Sequence, residues 1–235
     1  SRGHIVDTYE WNDVLPSIME QDWVIHIGAI SSTTERDIDK ILSQNFDFTR
    51  QLFNACKTYG VNMQYASSAS VYGMGTDFRE TAMPDPRTPY AWSKYLCERY
   101  HYAHQGGNIV QGFRYFNVYG PEGEEHKGDQ ASPFYKFKKQ AEETGQIKVF
   151  QDSDKYHRDF IQVNDLIDLQ LRFLDVKSSG IYNIGSGRTQ SFRQIAESFD
   201  AKIVEIEMPN VLKSNYQTYT CADMTKTWAT LNKNY

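Results

Sequence analysis

The sequence predicts an α/β protein with a doubly wound parallel sheet, and three observations support this fold class. Short apolar runs at 23–29, 62–66 and 109–114 have the length and composition of strands in a parallel sheet. Segments with apolar residues at helical spacing alternate with these runs. Small and hydroxylated residues follow the ends of the runs, at the edge where parallel sheets bind ligands.

The first strand and helix can be predicted from their boundary residues. The run 23–29 ends in the small residues Gly28 and Ala29, and hydroxylated residues after it can cap the next helix. Apolar side chains then recur at helical spacing from Ile38 to Cys56. Gly60 is a typical helix terminator, so we predict one continuous helix that ends there.

The second strand leads into a serine-rich segment. The run 62–66 continues directly into hydroxylated residues that include Ser68. A loop rich in Gly and Pro follows, and then a helix that carries Tyr90 and Lys94. The run 109–114 is predicted to be the next strand of the same sheet.

Shorter elements are predicted after residue 120. We expect helices at 133–144, 164–175 and 191–199, and strands at 147–150, 158–161 and 180–185. The chain is expected to divide into 1–118, which carries the sheet, and 119–235, a smaller lobe. Within that lobe, about 155–187 is expected to return to the sheet.

Composition excludes several classes of protein. A net charge of −5 with no basic run argues against nucleic acid as the main partner. No apolar stretch approaches the roughly 20 residues that span a bilayer, so no membrane partner is expected. The three cysteines lack metal or disulfide spacing, and the six histidines form no ligand pattern. We therefore predict no metal site and, by default, a cytoplasmic protein.

Tyr90 and Lys94 form the most informative motif in the chain. Residues four apart on a helix share one face, and an ammonium near a phenol lowers the phenol pKa from its free value near ~10. Ser68, at the end of a separate strand, can hydrogen-bond the same substrate oxygen. A Tyr-x-x-x-Lys spacing alone is weak evidence in a chain with 16 tyrosines, but the two motifs together predict proton transfer coupled to hydride transfer.

At this point the chain resembles the extended short-chain dehydrogenase/reductase superfamily, which contains the nucleotide-sugar epimerases and dehydratases. The motifs that carry this resemblance are Tyr65-Ala-Ser-Ser-Ala, Tyr90-x-x-x-Lys94, Arg114-Tyr-Phe-Asn117, Arg158-Asp-Phe and Asn183-Ile-Gly-Ser-Gly187. Three further segments narrow the resemblance to the ADP-L-glycero-D-manno-heptose 6-epimerases. They are Ser31-Ser-Thr-Thr-Glu35, His126-Lys127-Gly128 and 213–223.

The resemblance implies a Rossmann-type fold, incomplete at its amino terminus, in which 1–118 binds the dinucleotide and 119–235 mainly binds the substrate. It implies inversion of C6 of ADP-D-glycero-D-manno-heptose, a nucleotide sugar, by transient oxidation with bound NADP, with NAD possible. It also implies a homo-oligomer and a role in lipopolysaccharide biosynthesis.

The resemblance also implies roles for individual residues. The implied catalytic residues are Tyr90, Lys94, Ser68 and Lys127. The implied cofactor-binding residues are Gly28, Ala29, Ile30, Asn45, Tyr90 and Lys94. The implied substrate-binding residues are Ser68, Asn117, Arg158 and Tyr216. From the sequence alone Lys127 is a solvated loop lysine, and only the resemblance makes it a second acid/base.

One hypothesis about chain length and two rival functions stay open. No G-x-x-G-x-x-G precedes the run 23–29, and 5–7 resembles a third strand, so we hypothesise a fragment of a longer gene product. A UDP-hexose 4-epimerase or related dehydratase is the nearest rival enzyme. A non-catalytic nucleotide-sugar binder is the rival from another class, because fold does not determine function.

Overall fold

The computed structural model describes residues 10–32, 35–120, 123–210 and 216–232, and the chain forms two compact units. The first unit comprises Ser1–Gly73, Met83–Tyr115 and Val176–Tyr182. The second unit comprises Met74–Ala82, Phe116–Asp175 and Asn183–Tyr235. The functional lobes 1–118 and 119–235 stay a prediction.

The first unit is built on a four-stranded sheet with the strand order β1-β2-β3-β7. These strands are β1 (Trp23–His26), β2 (Asn62–Ser68), β3 (Val110–Tyr115) and β7 (Gly180–Ile184). The pairs β1–β2 and β2–β3 are parallel, as the sequence predicts.

Some helices of the first unit begin or end at recognisable capping residues. They are α1 (Trp11–Ile18), α2 (Ile38–Ile41), a π-helix (Leu42–Asp47), α3 (Phe48–Tyr59) and α4 (Pro89–Ala103). Gly60 ends α3 with a φ of 70°, which glycine adopts at little cost. Thr88 caps α4 by accepting the Ala91 N–H, and Pro89 occupies the first helical position.

The core of the first unit lies between the sheet and these helices. Buried side chains from α3, β2, α4, β3 and β7 pack together. They include Leu52, Phe53, Cys56, Met63, Tyr65, Cys97, Val110 and Ile181. This packing fixes α4 against β2, which is the geometry that the Ser68, Tyr90 and Lys94 motif requires.

The second unit contains two smaller sheets. In the first, β4 (Asn117–Tyr119) is parallel to β6 (His157–Gln162), which is antiparallel to β8 (Thr189–Ser191). In the second, β5 (Gln146–Phe150) is parallel to β9 (Lys202–Ile206).

The helices of the second unit are α5 (Pro133–Thr144), α6 (Val163–Arg172), α7 (Phe192–Glu197) and α8 (Thr225–Leu231). Short 3₁₀ turns lie at Ala69–Tyr72 in the first unit and at Glu125–Gln130 and Phe173–Asp175 in the second.

Two sequence-based expectations about the first unit are wrong in detail. The strand predicted at 23–29 ends at His26 and is only partly buried, since Ile25 is 43% and Ile27 is 65% exposed. β1 is the end strand of the sheet among the described residues, so one of its edges has no neighbouring strand there. The helix predicted from 38 to 59 is interrupted by the π-helix, whose wider turn does not disturb the apolar spacing.

Candidate functional site

Ser68 occupies the end of β2, where the strand gives way to the 3₁₀ turn Ala69–Tyr72. Its Oγ accepts the Ser70 N–H at 3.1 Å and so caps this turn. A side-chain hydrogen bond also joins Ser68 to Tyr90. The turn ends at Gly73, whose φ of 58° and contact with the Asp85 backbone leave no room for a side chain. The backbone therefore holds the Ser68 hydroxyl in a defined direction.

Tyr90 and Lys94 lie one turn apart on α4, as predicted. The Lys94 Nζ lies 5.8 Å from the Tyr90 ring centroid. This ammonium is almost fully buried and donates to the Ala66 carbonyl at 2.9 Å. The helix face that carries both side chains is thus fixed against β2, beside Ser68.

The expected lowering of the Tyr90 pKa by Lys94 is wrong for the protein alone. Burial raises the pKa of Tyr90 above its ordinary value, and the hydrogen bond with Ser68 opposes that rise. Burial also lowers the pKa of Lys94. Desolvation is therefore the main influence on both groups, and the Lys94 ammonium is directed to the Ala66 carbonyl.

Asn45 links the turn after β1 to the helix that carries Tyr90. Its Oδ1 accepts the Ile30 N–H at 2.7 Å, and its Nδ2 donates to the Ile30 carbonyl at 3.0 Å. The same Nδ2 donates to the Ser93 Oγ at 3.1 Å, and Ser93 in turn donates to the Tyr90 carbonyl at 2.7 Å. The predicted cofactor residues Ile30 and Asn45 are thus in direct contact, and Gly28 and Ala29 immediately precede Ile30 in the chain.

His26, at the end of β1, is a member of the site that sequence reasoning missed. Thr49 donates its hydroxyl to the Asn45 carbonyl, so the His26 Nε2, 2.9 Å from that hydroxyl, acts as the donor. Burial and the nearby Lys94 charge lower the pKa of His26 to about 3. His26 is therefore neutral at neutral pH. No local motif marks it, because its partners come from distant segments.

A buried ion pair beneath the site was also missed. Glu98, one turn after Lys94, accepts from Arg114 at 2.9 Å and 2.6 Å, and both side chains are almost fully buried. The Ser67 hydroxyl donates to the same carboxylate at 2.6 Å. This cluster ties α4 to β2 and β3 directly below Ser68, so it fixes the relative position of the serine and the helix.

Lys127 lies in the second unit, on the 3₁₀ turn Glu125–Gln130. It is 35% exposed, and its Nζ lies 3.4 Å from the Glu124 Oε2. Asn117, also in this unit, donates to the Asp159 carbonyl at 3.0 Å. Each residue is accessible enough to contact a ligand.

Arg158 and Tyr216 are brought together in the second unit. The Arg158 guanidinium carbon lies 5.3 Å from the Tyr216 ring centroid and 5.7 Å from that of Phe192. Two of its nitrogens donate to the carbonyls of His157 and Gln217. These bonds orient the guanidinium and leave further N–H groups for an anionic ligand.

Some of the predicted motifs lie outside the described residues: 5–7, Thr33, Thr34 and the beginning of 213–223. In the described part of the chain, no group of three or more His, Cys, Asp or Glu side chains could hold a metal ion. No helix in that part is long and apolar enough to span a membrane.

The site of the first unit fits a dinucleotide with hydroxyl-rich ribose rings. Its donors are the Tyr90 hydroxyl and the Lys94 ammonium, which uses one of its three hydrogens on Ala66. The neighbouring His26 is neutral, so it adds no charge that would compete with a positively charged nicotinamide. Such a donor set suits ribose hydroxyls rather than a metal ion.

Comparison with known proteins decides the family. The sequence profile of the NAD dependent epimerase/dehydratase family matches residues 2–185. The chain belongs to this family. The resemblance stated from the sequence motifs and the predicted fold class are confirmed by this match and by the relatives below.

Two enzymes named ADP-L-glycero-D-manno-heptose-6-epimerase are similar to this chain. An ADP-L-glycero-D-manno-heptose-6-epimerase of Alkalilimnicola ehrlichii is 38% identical over 242 residues, which cover 94% of this chain and 75% of that protein. The crystal structure of the Helicobacter pylori enzyme of the same name has a TM-score of 0.85 at 26% identity, over 97% of this chain and 72% of that one.

A further solved structure supports the fold alone. The UDP-N-acetylglucosamine 4-epimerase of Methanobrevibacter ruminantium superposes with a TM-score of 0.86 at 22% identity, over 97% of this chain and 75% of that one. The chain is thus an α/β member of an epimerase family, in agreement with the enzyme class predicted from the sequence.

Proposed function

We propose that this chain is an epimerase that inverts C6 of ADP-D-glycero-D-manno-heptose and gives ADP-L-glycero-D-manno-heptose. The choice of sugar rests on the 38% identity, over 94% of the chain, to a relative with this name. The chemistry is supported by the placement of Ser68, Tyr90 and Lys94 on adjoining elements of one unit.

Inversion at C6 proceeds through a ketone. The hydroxyl proton and the C6 hydride both leave, and both return with the hydride on the opposite face, so the substrate undergoes no net oxidation. NADP, held by the residues of the first unit, would supply the hydride acceptor and then the hydride donor. Tyr90 transfers the hydroxyl proton in one substrate pose, and Ser68 hydrogen-bonds the same oxygen.

Lys94 supports Tyr90 through its charge. In the protein alone Tyr90 is a phenol, because burial raises its pKa. The Lys94 ammonium, 5.8 Å from the ring centroid, stabilises the phenolate that forms when the proton leaves. We propose that Lys94 also donates to a ribose hydroxyl, and that Gly28, Ala29, Ile30 and Asn45 line the cofactor.

The second unit supplies the remaining roles in this proposal. Lys127 acts as the acid/base for the substrate in its second pose, since an inverted centre presents its hydroxyl in a new direction. Arg158 binds the diphosphate with its remaining N–H groups. Asn117 and Tyr216 contact the nucleotide sugar.

Substrate choice is tested by incubating the purified full chain, with NADP, in two parallel reactions. One contains ADP-D-glycero-D-manno-heptose and the other contains UDP-galactose, and NMR spectroscopy follows the new epimer in each. We expect turnover of the heptose only. Turnover of UDP-galactose alone would favour a hexose 4-epimerase, and binding without turnover of either sugar would favour a non-catalytic binder.

The role of Tyr90 is tested by Tyr90→Phe, with Tyr95→Phe, on another face of the same helix α4, as the matched control. Loss of the Tyr90 hydroxyl removes the proton carrier, so we expect kcat to fall by about 10²–10⁴-fold with cofactor binding retained. Tyr95→Phe should keep the wild-type rate. A Tyr90→Phe protein with normal kcat would remove Tyr90 from the mechanism.

The cofactor is tested by denaturing the purified chain and analysing the released nucleotide. The family is NAD dependent by name. We propose NADP, and therefore expect its absorbance and mass in the supernatant, with NAD as the contrary result. Added NADP should also raise the unfolding temperature more than the same concentration of NAD does.

Three further proposals rest on the resemblance to heptose epimerases. We propose that the protein is a homo-oligomer, that it acts in the cytoplasm, and that its product enters lipopolysaccharide biosynthesis. Light scattering on the purified chain tests the first proposal, and a monomer mass would contradict it.

A further inference from the structure

Gly120 and the loop 123–132, which carries Lys127, are held by one buried carboxylate. Glu124 is only 2% exposed although it lies in a loop of polar and charged residues. A buried carboxylate is costly unless several donors surround it. The positions of its donors therefore show what this residue holds in place.

Glu124 binds Gly120 on its amino-terminal side and Ser132 at the end of this loop. At one end, the Gly120 N–H donates to its Oε1 at 2.9 Å. At the other end, the Ser132 N–H donates to its Oε2 at 2.7 Å and the Ser132 hydroxyl donates to its Oε1 at 2.8 Å. Hydrogen bonds to a charged acceptor are among the stronger ones in proteins, so this carboxylate closes the loop.

Lys127 is attached to Glu124 in two ways. Its backbone N–H donates to the Glu124 carbonyl at 3.0 Å, and its Nζ lies 3.4 Å from the Glu124 Oε2. Burial alone raises the pKa of Glu124, but the N–H groups of Gly120 and Ser132, the Ser132 hydroxyl and the Lys127 ammonium together lower it. Glu124 is therefore charged at neutral pH.

We propose that Glu124 is a positioning residue that aims the Lys127 side chain at the substrate. This inference rests on the proposed function, in which Lys127 is the second acid/base. A long lysine side chain loses much rotamer freedom when it is held in one direction, and the neighbouring carboxylate supplies the attraction that holds it. The half-exposed ammonium then remains reachable while its direction is set.

The test compares Glu124→Gln with Glu125→Gln. The second variant removes the same charge from the adjacent residue, which is exposed and takes no part in closing the loop. We expect kcat of Glu124→Gln to fall by about 10–100-fold, as for other residues that orient a functional group. The substrate KM should change little, and Glu125→Gln should match the wild type. A Glu124→Gln enzyme with wild-type kcat would overturn the inference.

A double-mutant cycle separates positioning from general stabilisation. Lys127→Met removes the group that Glu124 is proposed to orient. If Glu124 acts through Lys127, then Glu124→Gln should cause no further loss of kcat in the Lys127→Met background. An equal fold-loss in both backgrounds would show a purely structural role and contradict the inference.

A substitute variant and a second measurement test the same inference if Glu124→Gln is unstable. If Glu124→Gln does not fold, Ser132→Ala replaces it, because that variant removes one donor to the carboxylate and keeps the charge. Hydrogen exchange of the amides in 125–131 should accelerate in Glu124→Gln and not in Glu125→Gln. If the wild-type chain shows no turnover, the proposed function is wrong. If hydrogen exchange is unchanged in Glu124→Gln, the proposed role of Glu124 is wrong.

Discussion

At the scale of single residues, the site is governed by desolvation. Tyr90, Lys94 and His26 each have a pKa displaced toward the neutral form, and burial is the largest cause in every case. Of these three residues, only Lys94 carries a positive charge, and its ammonium donates to the Ala66 carbonyl. The Lys94 charge adds to the effect of burial at His26, where both lower the pKa.

His26 gives a pH-dependent prediction at this scale. Its folded pKa, about 3, lies below the ordinary unfolded value near ~6.5. Between these values the unfolded chain binds one more proton, so the free energy of unfolding falls as pH drops, by up to about 1.4 kcal/mol per pH unit. Replacing His26 with Gln should remove this part of the acid destabilisation.

The measurement is urea unfolding at pH 7 and pH 5. His104→Gln is the control, because that ring is exposed. Between pH 7 and pH 5, we expect the free energy of unfolding to fall by about 2 kcal/mol less in His26→Gln than in the wild type. In His104→Gln it should fall as much as in the wild type. An equal loss in all three proteins would mean that His26 is not held neutral in the folded protein.

The placement of Ser68, Tyr90 and Lys94 could be predicted from the sequence because the motifs are local. A four-residue spacing defines a helix face, and a strand followed by serines defines a sheet edge. The pKa of Tyr90 could not be predicted, since it depends on how deeply the ring is buried by distant segments.

At the scale of elements, the π-helix Leu42–Asp47 determines where Asn45 points. Asn45 is 1% exposed, and its side-chain oxygen and nitrogen both form hydrogen bonds, with Ile30 and Ser93.

The substitution Asn45→Asp keeps the shape of the side chain and its acceptor oxygen but removes the N–H donors. We expect a loss of about 1–3 kcal/mol in the free energy of unfolding, since the Ile30 carbonyl is left facing a carboxylate.

The control for this prediction is Asn54→Asp, on the exposed face of α3. There the Asn54 Oδ1 accepts from the Tyr100 hydroxyl, and a carboxylate can accept in the same way. Asn45→Asp should also bind NADP less tightly by isothermal titration calorimetry, because the turn at Ile30 is released. Equal stability of the two variants would contradict the linking role of Asn45.

The π-helix itself was not predictable. Its six residues preserve the apolar pattern of the predicted helix, and the contact between Asn45 and Ile30 spans 15 residues of chain. Periodicity summed over several turns indicates which side chains face the core, and one wider turn leaves too weak a signal to be seen in it.

At the scale of the whole molecule, stability depends on where the charges lie. Most ion pairs of the described residues are exposed, as for Lys139 and Glu143. The Arg114–Glu98 pair differs, because its side chains are 3% and 1% exposed. Burial alone lowers the pKa of Arg114, but the hydrogen bonds and charge of Glu98 raise it above its usual value.

Glu98→Gln should therefore be far more destabilising than Glu143→Gln. Removing one member of a buried pair leaves an uncompensated charge and costs about 3–5 kcal/mol, whereas an exposed pair contributes at most about 1 kcal/mol. Urea unfolding of both variants measures the difference. Similar losses would show that Arg114 finds solvent when Glu98 is replaced.

The parallel pairing of β1, β2 and β3 could be predicted from the alternation of strands and helices. The pairing of Glu98 with Arg114 could not, because it joins α4 to β3 through the interior and follows no spacing rule. The exposure of Ile25 and Ile27 could not be predicted either, since it depends on which elements cover that face of the strand.

The π-helix has a consequence for how this chain can vary. A π turn closes hydrogen bonds one residue further along the chain than an α turn, so Leu42–Asp47 contains a residue more than a regular helix needs. Deleting one residue there would give a continuous α-helix and rotate Asn45 by about 100° relative to the buried face of α3. Such a deletion would move the Asn45 amide away from its Ile30 partners, whereas a substitution elsewhere in the turn would leave Asn45 in place.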